Sequence, residues 1–200
     1  MTPRRRVVGA AIACVLFGVT LQVVIASPAF ATCGVWRWSV KTLTDPLRRT
    51  VDFAAVRKSV LRLRRLTPPE SLNSTTPRLR GVERRTYDVR AQVVEAKIED
   101  DGDIHLVIAS RTYRHRTMIV EFPNPRCVAS SFKRDRMAAA RREVLDACGS
   151  FSTSSFTTLR GNVRIKGVGF WDEIHGQTGV APNGIELHPV LRFRGTCSRA

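Results

Sequence analysis

Residues 86–122 read TYDVRAQVVEAKIEDDGDIHLVIASRTYRHRTMIVEF, and this stretch decides the fold. Tyr87, Val89, Ala91 and Val93 alternate with Asp88, Arg90 and Gln92, and the run continues to Ile98. A period of two marks a half-buried strand. Glu99-Asp100-Asp101-Gly102-Asp103 follows, with the Asp-Gly pair of a tight hairpin at its centre. Ile104 to Ala109 is the return strand, Ser110 to Arg116 a polar turn, and Thr117 to Phe122 a third strand. The stretch therefore predicts a three-stranded meander whose first strand is unusually long.

Downstream, Pro123-Asn124-Pro125 ends the third strand. Ser130 or Ser131 can cap a helix running to about Ala147, with Met137, Ala140, Val144 and Cys148 on its inner face and Gly149 as its stop. Asn162 to Phe170 is a fourth strand and Ile185 to Phe193 a fifth, in which Pro189 suggests an edge or a bulge. The order β-β-β-α-β-β predicts a mainly β protein with one or two helices, an OB-like five-stranded barrel over residues 81–200. A long first strand suits it, because that strand bends to serve both sheets.

Upstream, 32–80 reads as an N-terminal extension ending in a Pro-rich loop. Cys33 to Lys41 partly alternates and suggests a short strand. Val51 to Leu66 carries Val56, Val60, Leu63 and Leu66 among five basic residues, which fits an amphipathic helix with a basic face. Val60, Leu61 and Leu63 equally fit the start of a strand.

The first 31 residues predict a cleaved secretory signal. Arg4, Arg5 and Arg6 precede an uncharged apolar run from Val7 to Ala26, and Ala29-Phe30-Ala31 is an A-x-A site. An uncleaved anchor is the alternative reading of that run. No other segment is apolar enough to span a membrane, so the mature part is expected to be secreted or held in the cell envelope. Cys33, Cys127, Cys148 and Cys197 remain, an even count that reads as two disulfides in an oxidising compartment. The expected pairs are Cys127 with Cys148 and Cys33 with Cys197. The chain holds 33 Lys and Arg against 17 Asp and Glu, a net charge of +16. A basic surface points to a polyanion partner, nucleic acid or an anionic envelope polymer. Arginine-rich composition and solubility give the same excess.

Four stretches matter together: CGVWRWSVKT at 33–42, KIEDDGDIHLVI at 97–108, TMIVEFP at 117–123, and GVGFWD at 167–172 leading into HGQTGVAPNGIELHPV at 175–190. They resemble a family of exported bacterial proteins of unknown function, over essentially the whole mature chain. The resemblance implies export and no particular activity. Asp101-Gly102-Asp103 before an apolar strand also resembles the calcium-binding start of staphylococcal-nuclease-like domains, which are exported OB-folds. That likeness implies Asp101 and Asp103 as metal carboxylates. After the third strand, where such enzymes carry an Arg and an acid, this chain has Glu121-Phe122-Pro123-Asn124-Pro125.

Candidate chemistry gathers in two places. Asp103 and His105, and Glu186 and His188, are each two apart on a strand and so share a face. If the faces meet, they could ligate a divalent metal, with His175 and Asp172 joining them. A hydrogen-bonded polar network pinning the 171–184 loop is the other reading. His175, Gln177, Thr178 and Asn183 in that Gly-rich loop are candidate ligand-binding residues. Arg111, Tyr113, Arg114, His115 and Arg116 interleave bases with an aromatic, a pattern that stacks on and neutralises nucleic acid or simply marks a charged turn. The leading expectation is a non-enzymatic OB-like binding module for a polyanion or oligosaccharide, without a cofactor. A metal-dependent, nuclease-like hydrolase and an envelope structural or interaction domain are the alternatives.

Overall fold

The structure is a computed structural model and describes residues 32–200. The signal peptide expected over 1–31 lies outside the described residues. Chain order is α1 (Trp38–Lys41), β1 (Asp52–Arg57), α2 (Val60–Leu63), β2 (Arg85–Ile98), β3 (Ile104–Ala109), β4 (Thr117–Phe122), α3 (Arg134–Cys148), β5 (Thr157–Arg160), β6 (Asn162–Trp171), β7 (Ile185–Gly195) and β8 (Ser198–Arg199).

Five strands close a barrel in the order β3-β4-β7-β6-β2, with β2 pairing back onto β3. The 14-residue β2 does this by serving two neighbours. Its first half, Thr86 to Gln92, pairs with β6, and its second half, Gln92 to Ile98, pairs with β3. A register shift between Val93 and Glu95 lies just past the changeover and bends the strand. Gly102 takes φ 82° in the hairpin, a conformation that costs a side-chain-bearing residue. The barrel and the expected OB-like order agree.

Alternation divides each wall in two. Leu106, Ile108, Val120, Phe122, Ile185 and Leu187 face inward to the apolar core. Their neighbours His105, Glu121, Glu186 and His188 therefore face outward, yet all four are buried. Something covers the outer wall, and the upstream residues supply it. Helix α3 closes the barrel's end as its pattern predicts, with Met137, Ala140, Val144 and Cys148 buried. Arg141 donates from this helix to the carbonyls of Phe122 and Gly102, at 2.7 and 2.8 Å.

Several expectations are corrected. Residues 33–41 form no strand, and 38–41 are a single helical turn. Residues 51–66 are no amphipathic helix. They are split between β1, which pairs in parallel with β2, and the one-turn α2 capped by Ser59. Ser131 does not cap α3. The residue before the helix is Lys133, and Ser131 Oγ accepts from its N–H. Pro189 is not on an edge, since β7 runs between β4 and β6. The ladder shifts register beside Gly167 and so accommodates the bulge that proline suggested.

The disulfides are Cys33–Cys127 and Cys148–Cys197, with Cα separations of 5.6 and 4.8 Å. The expected Cys127–Cys148 and Cys33–Cys197 pairs fail for a geometric reason. Cys127 sits in the turn before α3, and Cys148 is the last residue of that 15-residue helix, at its far end. At 1.5 Å per residue that rod is about 22 Å long, and a disulfide needs Cα atoms within about 7 Å. Cys127 instead meets the N-terminal segment and Cys148 meets the chain's last turn.

Candidate functional site

Register builds the site. His105 on β3 is the direct cross-strand partner of Glu121 on β4. On the other side β4 pairs in parallel with β7, Ile119 with Glu186 and Val120 with Leu187. The next step of that ladder brings His188 beside Glu121. A polar rung, His105-Glu121-His188, thus crosses three strands on the outer wall. The distances agree: His105 Nδ1 is 3.4 Å from Glu121 Oε1, and His188 Nδ1 is 2.8 Å from Glu121 Oε2. His188 Nε2 lies 3.4 Å from Asp103 Oδ2.

The roof over this rung comes from residues 33–45 and the 171–184 loop. Arg37 and Lys41 sit over the Phe170 ring at 5.0 and 5.2 Å. Lys41 Nζ reaches Asp172 at 3.5 Å and Glu121 at 3.9 Å. Arg37 is held by a bidentate, fully buried pair with Glu83, both contacts at 2.7 Å. Its remaining donors go to the carbonyls of Thr76, Pro77 and Trp171. A second buried pair joins Arg78 to Asp45, 2.7 Å apart. The extension is thereby part of the site's wall. The loop is seated from the other direction. The Thr178 carbonyl accepts a 2.9 Å hydrogen bond from His105 Nε2, so that ring nitrogen carries a proton.

Electrostatics inside the cluster is mixed. Burial pushes the Glu121 carboxyl up, but Lys41, His188 and His105 together hold it well below the usual carboxylate range. Burial drives Glu186 well above that range, Asp172 and Glu121 push it further, and Lys41 opposes. Burial lowers His188, yet Glu121 and Asp103 outweigh it and the imidazole is raised. His105 is raised in the same way, burial being outweighed by Glu121, Thr178 and Glu99. Burial also disfavours charge on Lys41, but the surrounding carboxylates, Glu121 first, keep it raised. Asp101, beside Asp103, is pushed up to about 6 by burial and that neighbour.

Four buried atoms have no hydrogen-bond partner here: Asp103 Oδ2, Glu186 Oε2, and both ring nitrogens of His188. The 2.8 Å contact of His188 with Glu121 is a charge contact without hydrogen-bond alignment. Asp103, Glu121 and His188 each offer one ligand atom, and these lie within 4.8 Å of one another. The expected metal set of Asp103, His105, Glu186 and His188 is thus brought to one place, in a different order. Asp103 touches His188 directly, His105 joins through Glu121, and Glu186 neighbours them without entering the three-residue group. His175 is exposed at the rim and does not join the other histidines.

A cleft of about 560 Å³ opens over the cluster. Its lining includes Lys41, Asp101, His105, Glu121, Phe156, Asp172 and Glu186. Of the loop residues expected to bind ligand, His175, Gln177 and Thr178 line it. Asn183 does not, because its amide is spent on the carbonyls of Leu63 and Leu66, 3.0 and 2.8 Å away. Gln177 also staples the loop, accepting from His175 N–H and donating to the Glu173 carbonyl. Sequence reasoning missed Glu121, Lys41 and Phe156. Glu121 alone carried a signal, as the one charge inside the apolar strand Thr117–Phe122.

Compared with family models, curated proteins and solved structures, the chain matches none.

Proposed function

We propose that the protein is an exported, disulfide-stabilised barrel module that binds a hydroxyl-rich ligand, an oligosaccharide, in the cleft beside the 171–184 loop. The observation that carries this reading is the composition of the cleft. Carboxylates from Glu99, Asp101, Glu121 and Asp172 alternate with donors from Lys41, Lys97 and Gln177, and the half-buried Phe156 ring stands among them. Sugar hydroxyls both donate and accept, and a ring face suits their C–H surface. A polyanion is disfavoured at this place, because carboxylates outnumber the lysines. Export is supported by two disulfides, which persist in oxidising compartments. Among the described residues no helix is long and apolar enough to cross a membrane.

The test is calorimetric titration of the oxidised protein with a panel of neutral envelope oligosaccharides. Binding should weaken about 10-fold or more in Asp172→Asn, the loss of a hydrogen bond to a charged group being worth about 1.5–3 kcal/mol, and about 2- to 12-fold in Gln177→Ala, where the lost bond is neutral and worth about 0.5–1.5 kcal/mol. If no oligosaccharide binds, or if one binds equally to both variants, the reading fails.

A second reading is favoured by one specific observation, the orphaned atoms of Asp103 and His188 beside Glu121. An imidazole and two carboxylates fit a divalent transition metal. Asp103, Glu121 and His188 would hold it, and His105 would orient Glu121 through its 3.4 Å contact. Such an ion would supply Lewis-acid activation for hydrolysis. Elemental analysis of the oxidised protein tests this: a stoichiometric metal, lost in His188→Ala, supports it, and none after incubation with zinc or manganese overturns it.

A further inference from the structure

The strongest charge on the molecule lies away from the cleft. The cleft borders the 99–103 hairpin, whereas Ser110 to Arg116 connects the other ends of β3 and β4. The six residues of β3 separate the two, about 20 Å. Around that distal turn three depressions adjoin, of about 530, 500 and 320 Å³. The first two share Leu61, and the last two share Arg90, Arg111 and Arg164. They make one groove.

Its charged lining residues are basic with one exception. Asp88 is the single carboxylate among these residues, and Arg164 already occupies it through a bond of 2.7 Å from Nε. The guanidinium groups of Arg65, Arg90, Arg111 and Arg194 make no hydrogen bond or ion pair within the described residues. They come from four different parts of the chain, so the fold, and not a local run of sequence, concentrates them. Burial, and then the neighbouring Arg116, lower Arg64 below its ordinary value. Tyr113 lines the same groove, 51% exposed, with His115 edge-on at 6.0 Å. An exposed aromatic pair among unneutralised arginines is the combination that grips a charged backbone and stacks planar bases.

We propose that this groove binds single-stranded nucleic acid, with Arg90 and Arg111 on phosphates and Tyr113 stacked against a base. The site is separate from the cleft, and neither reading requires the other. The aromatic pair favours a base-bearing polymer over a purely anionic glycan. Neutralising about five phosphates of a single strand gives a slope of log affinity against log salt near −3.5. Affinity should then fall about 100-fold between 50 and 200 mM salt.

The experiment is fluorescence anisotropy with labelled oligo-dT of 20 nucleotides and the oxidised full-length protein, repeated with an abasic phosphodiester of equal length. Binding to oligo-dT should fall at least 10-fold in Arg90→Glu/Arg111→Glu. Tyr113→Ala should lose about 5- to 150-fold on oligo-dT, the range of one base stack, and nothing on the abasic polymer. Reversal of exposed charges on α3, Arg136→Glu/Arg142→Glu, should change binding less than 3-fold, and Asp172→Asn in the cleft should leave it unaltered. Thermal midpoints matching the parent establish that the variants are folded, and the exposure of Tyr113 makes that the expected result. Equal affinity for oligo-dT and the abasic polymer, unchanged in Tyr113→Ala, would identify a polyanion site without base recognition and overturn the proposal. No binding of oligo-dT at 50 mM salt, or equal losses in the groove and α3 variants, would overturn it too.

Discussion

Glu83→Gln should unfold this protein's upstream half more easily than any surface change, and the cost can be worked from contacts. Glu83 is fully buried and accepts four hydrogen bonds: two from Arg37 at 2.7 Å, one from Leu79 N–H at 2.6 Å and one from Trp171 N–H at 3.1 Å. Glutamine preserves the shape, so packing is not at issue. It removes the charge that compensates a guanidinium with no exposed surface, and it places an NH2 against donors. Breaking a buried pair from one side costs about 3–5 kcal/mol. For a domain of this size each kcal/mol lowers the thermal midpoint by about 2–4 °C, so the loss should be about 6–20 °C. Urea unfolding of the oxidised protein, followed by tryptophan fluorescence, measures it. Trp171 is an internal reporter, because its carbonyl and its N–H both bond the pair. Arg37→Met/Glu83→Leu, which removes both charges, should cost less than the two single changes added. It should still destabilise, since the carbonyls of Thr76 and Pro77 lose their donor. Glu83→Gln within about 1 kcal/mol of the parent, with additive singles, would refute the reasoning and detach the extension from the site's stability.

Other expectations follow from separate contacts. Peptide mapping without reduction should recover Cys33 joined to Cys127 and Cys148 joined to Cys197. Cys33→Ser/Cys127→Ser should cost about 4–5 kcal/mol in the chain-entropy model for a separation of 94 residues, read by urea unfolding. Gly179→Ala should lower the midpoint and weaken any cleft ligand together: φ is 81° there, and an added Cβ would lie 2.4 Å from Val107 Cγ1. Left-handed strain alone is about 1–3 kcal/mol. Hydrogen bonding from Arg164 lowers Asp88 below its ordinary value. Its contribution is therefore present above the unfolded carboxyl pKa and lost as pH falls through the folded one. The stability gap between the parent and Asp88→Asn should close as pH falls below the ordinary carboxylate range, and a gap independent of pH would contradict this.

The barrel was legible because its strands carry their own evidence. The alternation of 86–98, the Asp-Gly turn and the inner face of α3 are local, and the order of elements then leaves few closures. Residues 33–66 were not legible for the opposite reason. Their two helices are single turns, too short to stand alone. They are held by ion pairs to residues far along the chain, such as Arg37 with Glu83 and Arg78 with Asp45. Basic residues scattered among Val56, Val60 and Leu63 mimic an amphipathic helix, although β1 ends at Arg57 where the chain leaves the sheet. The disulfides misled likewise. Sequence distance favours the nearest cysteines, but α3 carries Cys148 to its far end, where it meets Cys197, while Cys127 stays beside the N-terminal segment.

The site was half legible, and the missing half has one cause. Parity along a strand told that Asp103 pairs with His105 in direction and Glu186 with His188. Nothing in either strand tells which third strand stands between them. The parallel β4–β7 pairing supplies Glu121 and makes it the hinge of the rung, touching both histidines. Lys41 arrives by a longer route still, carried in on a segment that the Cys33–Cys127 bond and the Arg37–Glu83 pair fasten over the wall. The same argument separates the protein's two charged places. A net charge of +16 speaks of the whole chain, yet the fold sorts carboxylates to one end of the β3–β4 hairpin and unpaired arginines to the other. A ligand chosen from net charge alone would be sought at the wrong end of the hairpin, because the loop that reads most like a binding loop borders the acidic cleft.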